Sequence, residues 1–290
     1  MKSMPKRSGS RGVSLIEILI SLVIGLVIVG AVLISMIGSG KAGRYQAAYT
    51  QMNEDAQIAL SMLSRELQQA GYSAPTGLAA VVPATVPPTQ ALVFNSLAGG
   101  TYVIGCDTGF VDPGAVPLVC DAGTQAAFEV VYQADVRTTA PTGAGNPSDC
   151  LGNSIAVGPP YIARNRYFIS NSTYGRPQLS CASTNPLTGS QPLVENIEAM
   201  AVSYGVAVAA APTQVVRYVT ATNIRAVGPA EWFNVVSIRV CLVVRSTDPV
   251  LDNGEDTPAY TDCAGTRQTP TDRYLRRAYF TTAAIRDRMP

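Results

Sequence analysis

The distribution of apolar residues divides the chain at about residue 70. From Ile18 to Ile37 twenty consecutive residues carry no charge and most are aliphatic. At about 1.5 Å per residue, a helix of that length spans roughly 30 Å, the thickness of a bilayer's hydrocarbon core. A different pattern follows at once. Tyr45, Tyr49, Met52, Ala56, Ala59, Leu63, Leu67 and Ala70 recur at spacings of three and four, which predicts an amphipathic helix with one face against a core. Together the two segments predict one helix from Val13 to Ala70, roughly 85 Å long, with Gly71 as its stop and with bends or melting at Gly38, Gly40 and Gly43.

Beyond residue 72 the period shortens to two. Short runs with strand character occur at Ala91–Ser96, Thr101–Gly105, Ala127–Gln133, Tyr167–Ser170, Val194–Val206, Val215–Val219, Trp232–Arg245 and Tyr279–Ile285, separated by turn-forming clusters of Gly, Pro, Asn, Asp and Thr. Pro75–Thr89, with prolines at 75, 83, 87 and 88, reads as an extended connection. No helical pattern lies between the runs to make parallel crossovers, so the expected class is α+β, a long N-terminal helix packed on an antiparallel sheet. The clearest strand is Val235–Arg245. Val236, Ile238, Val240, Leu242 and Val244 form its core face, while Val235 and Val243 on the other face point to cover by loops.

Charge and cysteines narrow the compartment. Of 21 basic residues, Lys2, Lys6, Arg7 and Arg11 precede Val13; without them 17 face 20 acidic residues. A basic leader before an apolar span favours a cytoplasmic N-terminus, and the slightly acidic remainder has no electrostatic footprint for nucleic acid. Cys106, Cys120, Cys150, Cys181, Cys241 and Cys263 are even in number, with no CxxC pair and no histidine in the chain. Behind an export signal they read as disulfide candidates in an oxidising compartment, with buried free thiols as the alternative. Six cysteines allow fifteen pairings. Short loops favour 106 with 120, 150 with 181 and 241 with 263.

An ordinary secretory signal would be cut after the apolar run, among the small residues of Ser35–Gly40. Glu17 argues otherwise. A carboxylate at the edge of a membrane segment costs up to about 3 kcal/mol unless it is paired or interfacial. Its bland reading is a favourable charge at a helix start. The segment Arg11-Gly12-Val13-Ser14-Leu15-Ile16-Glu17 resembles the processing motif of type IV prepilins, in which a glycine precedes the cut and a glutamate is fifth in the mature chain. The resemblance implies cleavage between Gly12 and Val13 by the prepilin peptidase, methylation of the Val13 amine, and pairing of Glu17 with a neighbour's amino terminus during assembly. Val13 departs from the family's usual phenylalanine.

Further stretches resemble the PilW family of minor pilins. They are Arg65-Glu66-Leu67 leading into Ala70-Gly71-Tyr72, Leu193 to Met200 with Ser203-Tyr204-Gly205, Val236–Arg245, and the tail Phe280 to Arg288, which has Asp287 where asparagine is common. This resemblance implies a pilin-like fold: leader 1–12, transmembrane and filament-core helix 13–40, amphipathic half 41–72, and a disulfide-bonded β-rich head 73–290. It also implies a non-enzymatic subunit that primes pilus assembly, partners other minor and major pilins and a PilY-type tip adhesin, and supports twitching motility and adhesion. The head would be periplasmic on a single-pass inner-membrane chain before assembly, and at the cell surface afterwards. A minor pseudopilin of type II secretion and a signal-anchored periplasmic binding or hydrolytic domain are the alternatives. Arg65 and Glu66 read as an exposed charge pair at a helix end.

No hydrolase elbow, P-loop, dinucleotide fingerprint or zinc motif occurs, so no cofactor or catalytic residue is expected. The acidic stretch Asp248–Asp256 has the composition of a calcium loop without EF-hand spacing, which favours a solvated turn over a metal site.

Overall fold

In the computed structural model, which describes residues 12–73, 101–135, 138–155, 160–184, 187–251 and 257–286, the first helix α1 runs unbroken over Leu15–Gln69. Gly38, Gly40 and Gly43 do not interrupt it. By contacts the chain forms two units, Met1–Ala47 and Ala48–Pro290. In the first, the aliphatic side chains of α1 point to solvent on every side: Leu19, Val23, Leu26, Val29 and Leu33 are all more than half exposed. A helix apolar all round, with a mean hydropathy of 3.0 over its best 18 residues, has the length and composition to cross a membrane.

In the second unit the helical stripe does what its spacing predicts. Met52, Ala56, Ala59, Leu63, Leu67 and Ala70 are completely buried. Each large member of that face stabilises the fold by about 1.5–3 kcal/mol. Helix α1 ends where Gly71 takes a positive φ of 79°. Only glycine adopts that conformation without a Cβ penalty. The chain then pairs with a strand: Gly71 N donates to Val131 O at 3.0 Å and Gln133 N to Tyr72 O at 2.8 Å.

The described residues of the head form two antiparallel sheets and a short ribbon, where the strand pattern predicts one sheet. The first sheet is a five-stranded meander, β1 (Val103–Cys106), β2 (Ala127–Ala134), β3 (Tyr161–Asn171), β4 (Pro177–Thr184) and β5 (Leu187–Glu195), in that spatial order. The second comprises β6 (Ile197–Val206), β7 (Arg217–Val219), β8 (Val235–Arg245) and β11 (Arg276–Ala284), ordered β11-β8-β6-β7. The ribbon joins β9 (Tyr260–Thr261) to β10 (Arg267–Gln268).

The apolar run Val194–Val206 is thus split between sheets. Asn196 breaks it, with φ at 65°. Strands β4 and β5, rich in Ser, Thr, Gln and Pro, lack the apolar alternation that would have marked them. Two further elements differ from expectation. Trp232–Asn234 belongs to a 3-10 turn, Pro229–Asn234, which sets Trp232 edge-on to Tyr204 with ring centres 5.0 Å apart. A seven-residue helix α2 (Ala221–Val227) interrupts the β pattern. Its free N–H groups are taken by Asp107, which accepts from Ala221 N and Thr222 N, and by the cap residue Thr220, which accepts from Asn223 N.

Strand β8 is buried on both faces except at Arg239 and Arg245. Strand β6 on one side and β11 on the other pair with it throughout. Gly105 in β1 lies so close to the ring of Tyr204 in β6 that any Cβ there would overlap the phenol. The expected strand Ala91–Ser96, the connection Pro75–Thr89 and the leader before Gly12 lie outside the described residues.

Candidate processing and assembly segment

Gly12, Val13 and Ser14 are exposed and precede α1 without joining it. Ser14 O accepts from Glu17 N at 3.0 Å and from Ile18 N at 3.2 Å, so the first turn forms immediately after the Gly12–Val13 bond. Glu17 lies in that turn, at the end of the helix where the backbone dipole favours an anion. Ser21 Oγ donates to Glu17 O at 2.7 Å, a local bond that satisfies a hydroxyl within an apolar face. Among the described residues no basic side chain pairs with Glu17. The segment therefore combines an accessible peptide bond, a carboxylate without a counter-charge among the described residues, and a helix whose apolar surface is uncovered.

Among the described residues of the head no comparable uncovered apolar face occurs, and many polar residues are tied into the fold. Arg65 is exposed, but Glu66 is not its solvated partner as the sequence suggests. The Glu66 carboxylate turns inward, accepting from Asn165 Nδ2 at 3.0 Å and from Tyr132 OH at 3.5 Å. Asn165 Nδ2 also reaches Tyr132 OH at 3.2 Å. Burial pushes the Glu66 carboxyl above its ordinary range, against the opposing effect of these hydrogen bonds. Tyr132 and Tyr167 are raised as well, first by burial and then by the charge of Glu66. The reason for the discrepancy is tertiary: the partners of Glu66 are on β2 and β3, far away in sequence.

Sequence reasoning also missed a buried ion pair. Arg166 Nε donates to Glu129 Oε2 at 2.7 Å, with both side chains 2% exposed. Arg166 Nη1 donates to Pro113 O and Ala115 O at 2.7 and 2.6 Å, and Arg164 Nη1 reaches Glu129 Oε1 at 3.2 Å. This clamp holds the loop between β1 and β2 against the first sheet. Its only sequence signal was an Arg-Asn-Arg triplet inside a strand.

The structure joins Cys106 to Cys120, Cys150 to Cys181 and Cys241 to Cys263. Each bridge fastens a loop to a strand: the β1–β2 loop to β1, the Ser148–Gly152 turn to β4, and the β9–β10 turn to β8. Arg225 on α2 donates to Cys106 Sγ at 3.6 Å and also contacts Cys120 Sγ. Of the acidic stretch, Asp248 is exposed and Asp252–Asp256 lie outside the described residues. Among the described residues no three His, Cys, Asp or Glu side chains converge as a metal-binding group.

Comparison with known proteins matches both regions to family models. Residues 166–287 match the family described as Type IV Pilus-assembly protein W, and residues 7–33 match the prokaryotic N-terminal methylation motif. Among solved structures, the type IV-like pilin TTHA1219 from Thermus thermophilus is 12% identical, over 83% of this chain and 100% of its own, with a TM-score of 0.39. No curated protein sequence matches the chain.

Proposed function

We propose that this chain, which matches the PilW family model and the N-terminal methylation motif, is cut after Gly12, methylated at Val13 and built into a type IV pilus as a minor, non-enzymatic subunit. The observation that carries this reading is Glu17, without a basic partner among the described residues, in the first turn of an uncovered apolar helix immediately after the Gly12–Val13 bond. A carboxylate there is unfavourable in the membrane until a cation meets it. Cutting at Gly12 creates such a cation, the Val13 amine, at the same depth in every subunit. Other pilins then cover the apolar helix that lipid covers beforehand.

The same reading supplies the partners and the location. A prepilin peptidase acts at the cytoplasmic face, where the basic leader holds the N-terminus. The head is periplasmic before assembly, an oxidising environment that suits three disulfides. The subunit primes the filament together with other minor and major pilins, lies in the tip complex with a PilY-type adhesin, and through it supports adhesion and twitching motility.

Intact-mass and N-terminal peptide analysis of the protein from native membranes tests the reading. The expected chain begins at Val13 and carries one added methyl group. A chain that retains Met1, or one that starts after residue 37, refutes it. Glu17→Ala should leave this cut in place while removing the subunit from sheared pili.

A further inference from the structure

Between α1 and the first sheet lies a cavity of about 400 Å³. Its size falls within the range of small-ligand sites. Its walls are chemically mixed. Met62 and Leu193 are apolar, Tyr132 and Tyr167 contribute rings and hydroxyls, and Glu66 and Asp149 contribute carboxylates.

The two carboxylates stand out because buried charges in proteins are ordinarily paired. Asp149 is 6% exposed. Its Oδ1 accepts from Leu151 N at 2.9 Å and from Asn153 N at 2.8 Å, but its Oδ2 is buried and has no hydrogen-bond partner among the described residues. Among the described residues the donors to Glu66 are neutral: Asn165, Tyr132 and Tyr167. Arg65, the basic residue among the lining side chains, is exposed and forms no ion pair among the described residues. Burial raises the proton affinity of Glu66 against the opposing effects of its hydrogen bonds and of the nearby Arg65 charge.

We propose that this cavity binds an alkyl cation, a guanidinium or ammonium group on an aliphatic stem, with Asp149 and Glu66 as its counter-charges. A hard divalent metal is a poorer fit. It wants six or more oxygens, several of them carboxylates, and only these two acidic side chains line the walls. An alkyl cation suits the mixture, because its stem packs on Met62 and Leu193 while its head meets carboxylates and tyrosines. The inference concerns the head alone and does not depend on the assembly reading.

Calorimetric titration of the full chain in detergent micelles tests it, with ethylguanidinium chloride as probe and neutral ethylurea as isosteric control at matched ionic strength. Ethylguanidinium is expected to saturate one site in the millimolar range, and ethylurea to give no saturable heat. Asp149→Asn keeps a carbonyl for Leu151 N and Asn153 N, and Glu66→Gln keeps one for Asn165. Each should weaken binding at least tenfold with an unchanged circular-dichroism spectrum. N-acetylarginine amide and agmatine separate the sources of the group. Binding of the amide at least as tight as that of agmatine assigns an arginine carried by a neighbouring protein, and binding of agmatine alone assigns a free small cation. The proposal is overturned if ethylguanidinium does not saturate, if ethylurea binds equally, or if both folded variants bind like the parent. Calcium binding that ethylguanidinium fails to displace also overturns it.

Discussion

Asn196 carries out two tasks that a single side chain seldom combines. Its backbone sits at φ 65°, turning the chain out of β5 and into β6, and its Nδ2 donates to Asp55 Oδ2 at 3.2 Å and to Thr247 Oγ1 at 3.0 Å. Asparagine tolerates the left-handed region better than other residues with a Cβ. Asn196→Ala should therefore cost about 2–3 kcal/mol, from the conformational penalty together with two lost hydrogen bonds. Asn196→Gly relieves the first part and should cost about half as much. Urea unfolding of the two variants in micelles, with the reverse order as the failing result, checks this.

Glu66 gives a second prediction at the same scale. Its folded-state pKa is raised above the ordinary 4.5, so between those two values the folded chain binds more protons than the unfolded one. Stability attributable to Glu66 then falls as pH rises from about 4.5 through its folded pKa. Relative to Glu66→Gln, the parent should melt progressively lower as pH is raised from 4.5 to 7. A constant difference between the two melting temperatures across that range would contradict the assignment. Asp272 shifts in the opposite direction, lowered chiefly by its hydrogen bonds from Arg276, and is common to both proteins.

At the scale of elements, the end of α1 is where the helix is fastened to the sheet. Gly71 terminates the helix with a positive φ and donates to Val131 O, and Tyr72 O then accepts from Gln133 N, so the residues after the helix extend the ladder of β2. Gly71→Ala places a Cβ in the left-handed region. It should destabilise the head by about 1–2 kcal/mol without altering the disulfides, as read from thermal melting and a thiol count. The sequence Ala70-Gly71-Tyr72 made the helix stop legible, because glycine after a periodic run is a local signal. The pairing that follows was not, since Val131 and Gln133 lie some sixty residues away.

Over the whole molecule, the two units have opposite surface chemistry. Residues of the first expose aliphatic side chains all round, while those of the second bury an apolar stripe and most of β8. Water is a poor solvent for the first unit, so the full chain should sediment with membranes, resist extraction by alkaline carbonate and be released by detergent. Release by carbonate alone would contradict a spanning helix. Three disulfides close loops of 14, 31 and 22 residues in sequence separation. Bridges over loops of this size typically contribute about 2–4 kcal/mol each.

By itself the sequence determined what depends on neighbours along the chain. That includes the apolar span, the helical stripe from Met52 to Ala70, the stop at Gly71, the double burial of β8 and the α+β class. These follow from local periodicity and from the conformational range of single residues, which need no distant partner. Only the tertiary structure decided that the strands form two sheets, that Asn196 joins them, that Glu66 turns inward, and that Arg166 and Glu129 are buried as a pair. Each depends on groups brought together across tens of residues, and polar side chains carry no periodic mark of the partner they will meet. Strand β4 and most of β5 escaped notice for a related reason. Most of their side chains are small or polar, so the few buried apolar ones, Leu179, Cys181 and Val194, make too short a pattern to mark strands that pairing along both edges of β4 also holds in place.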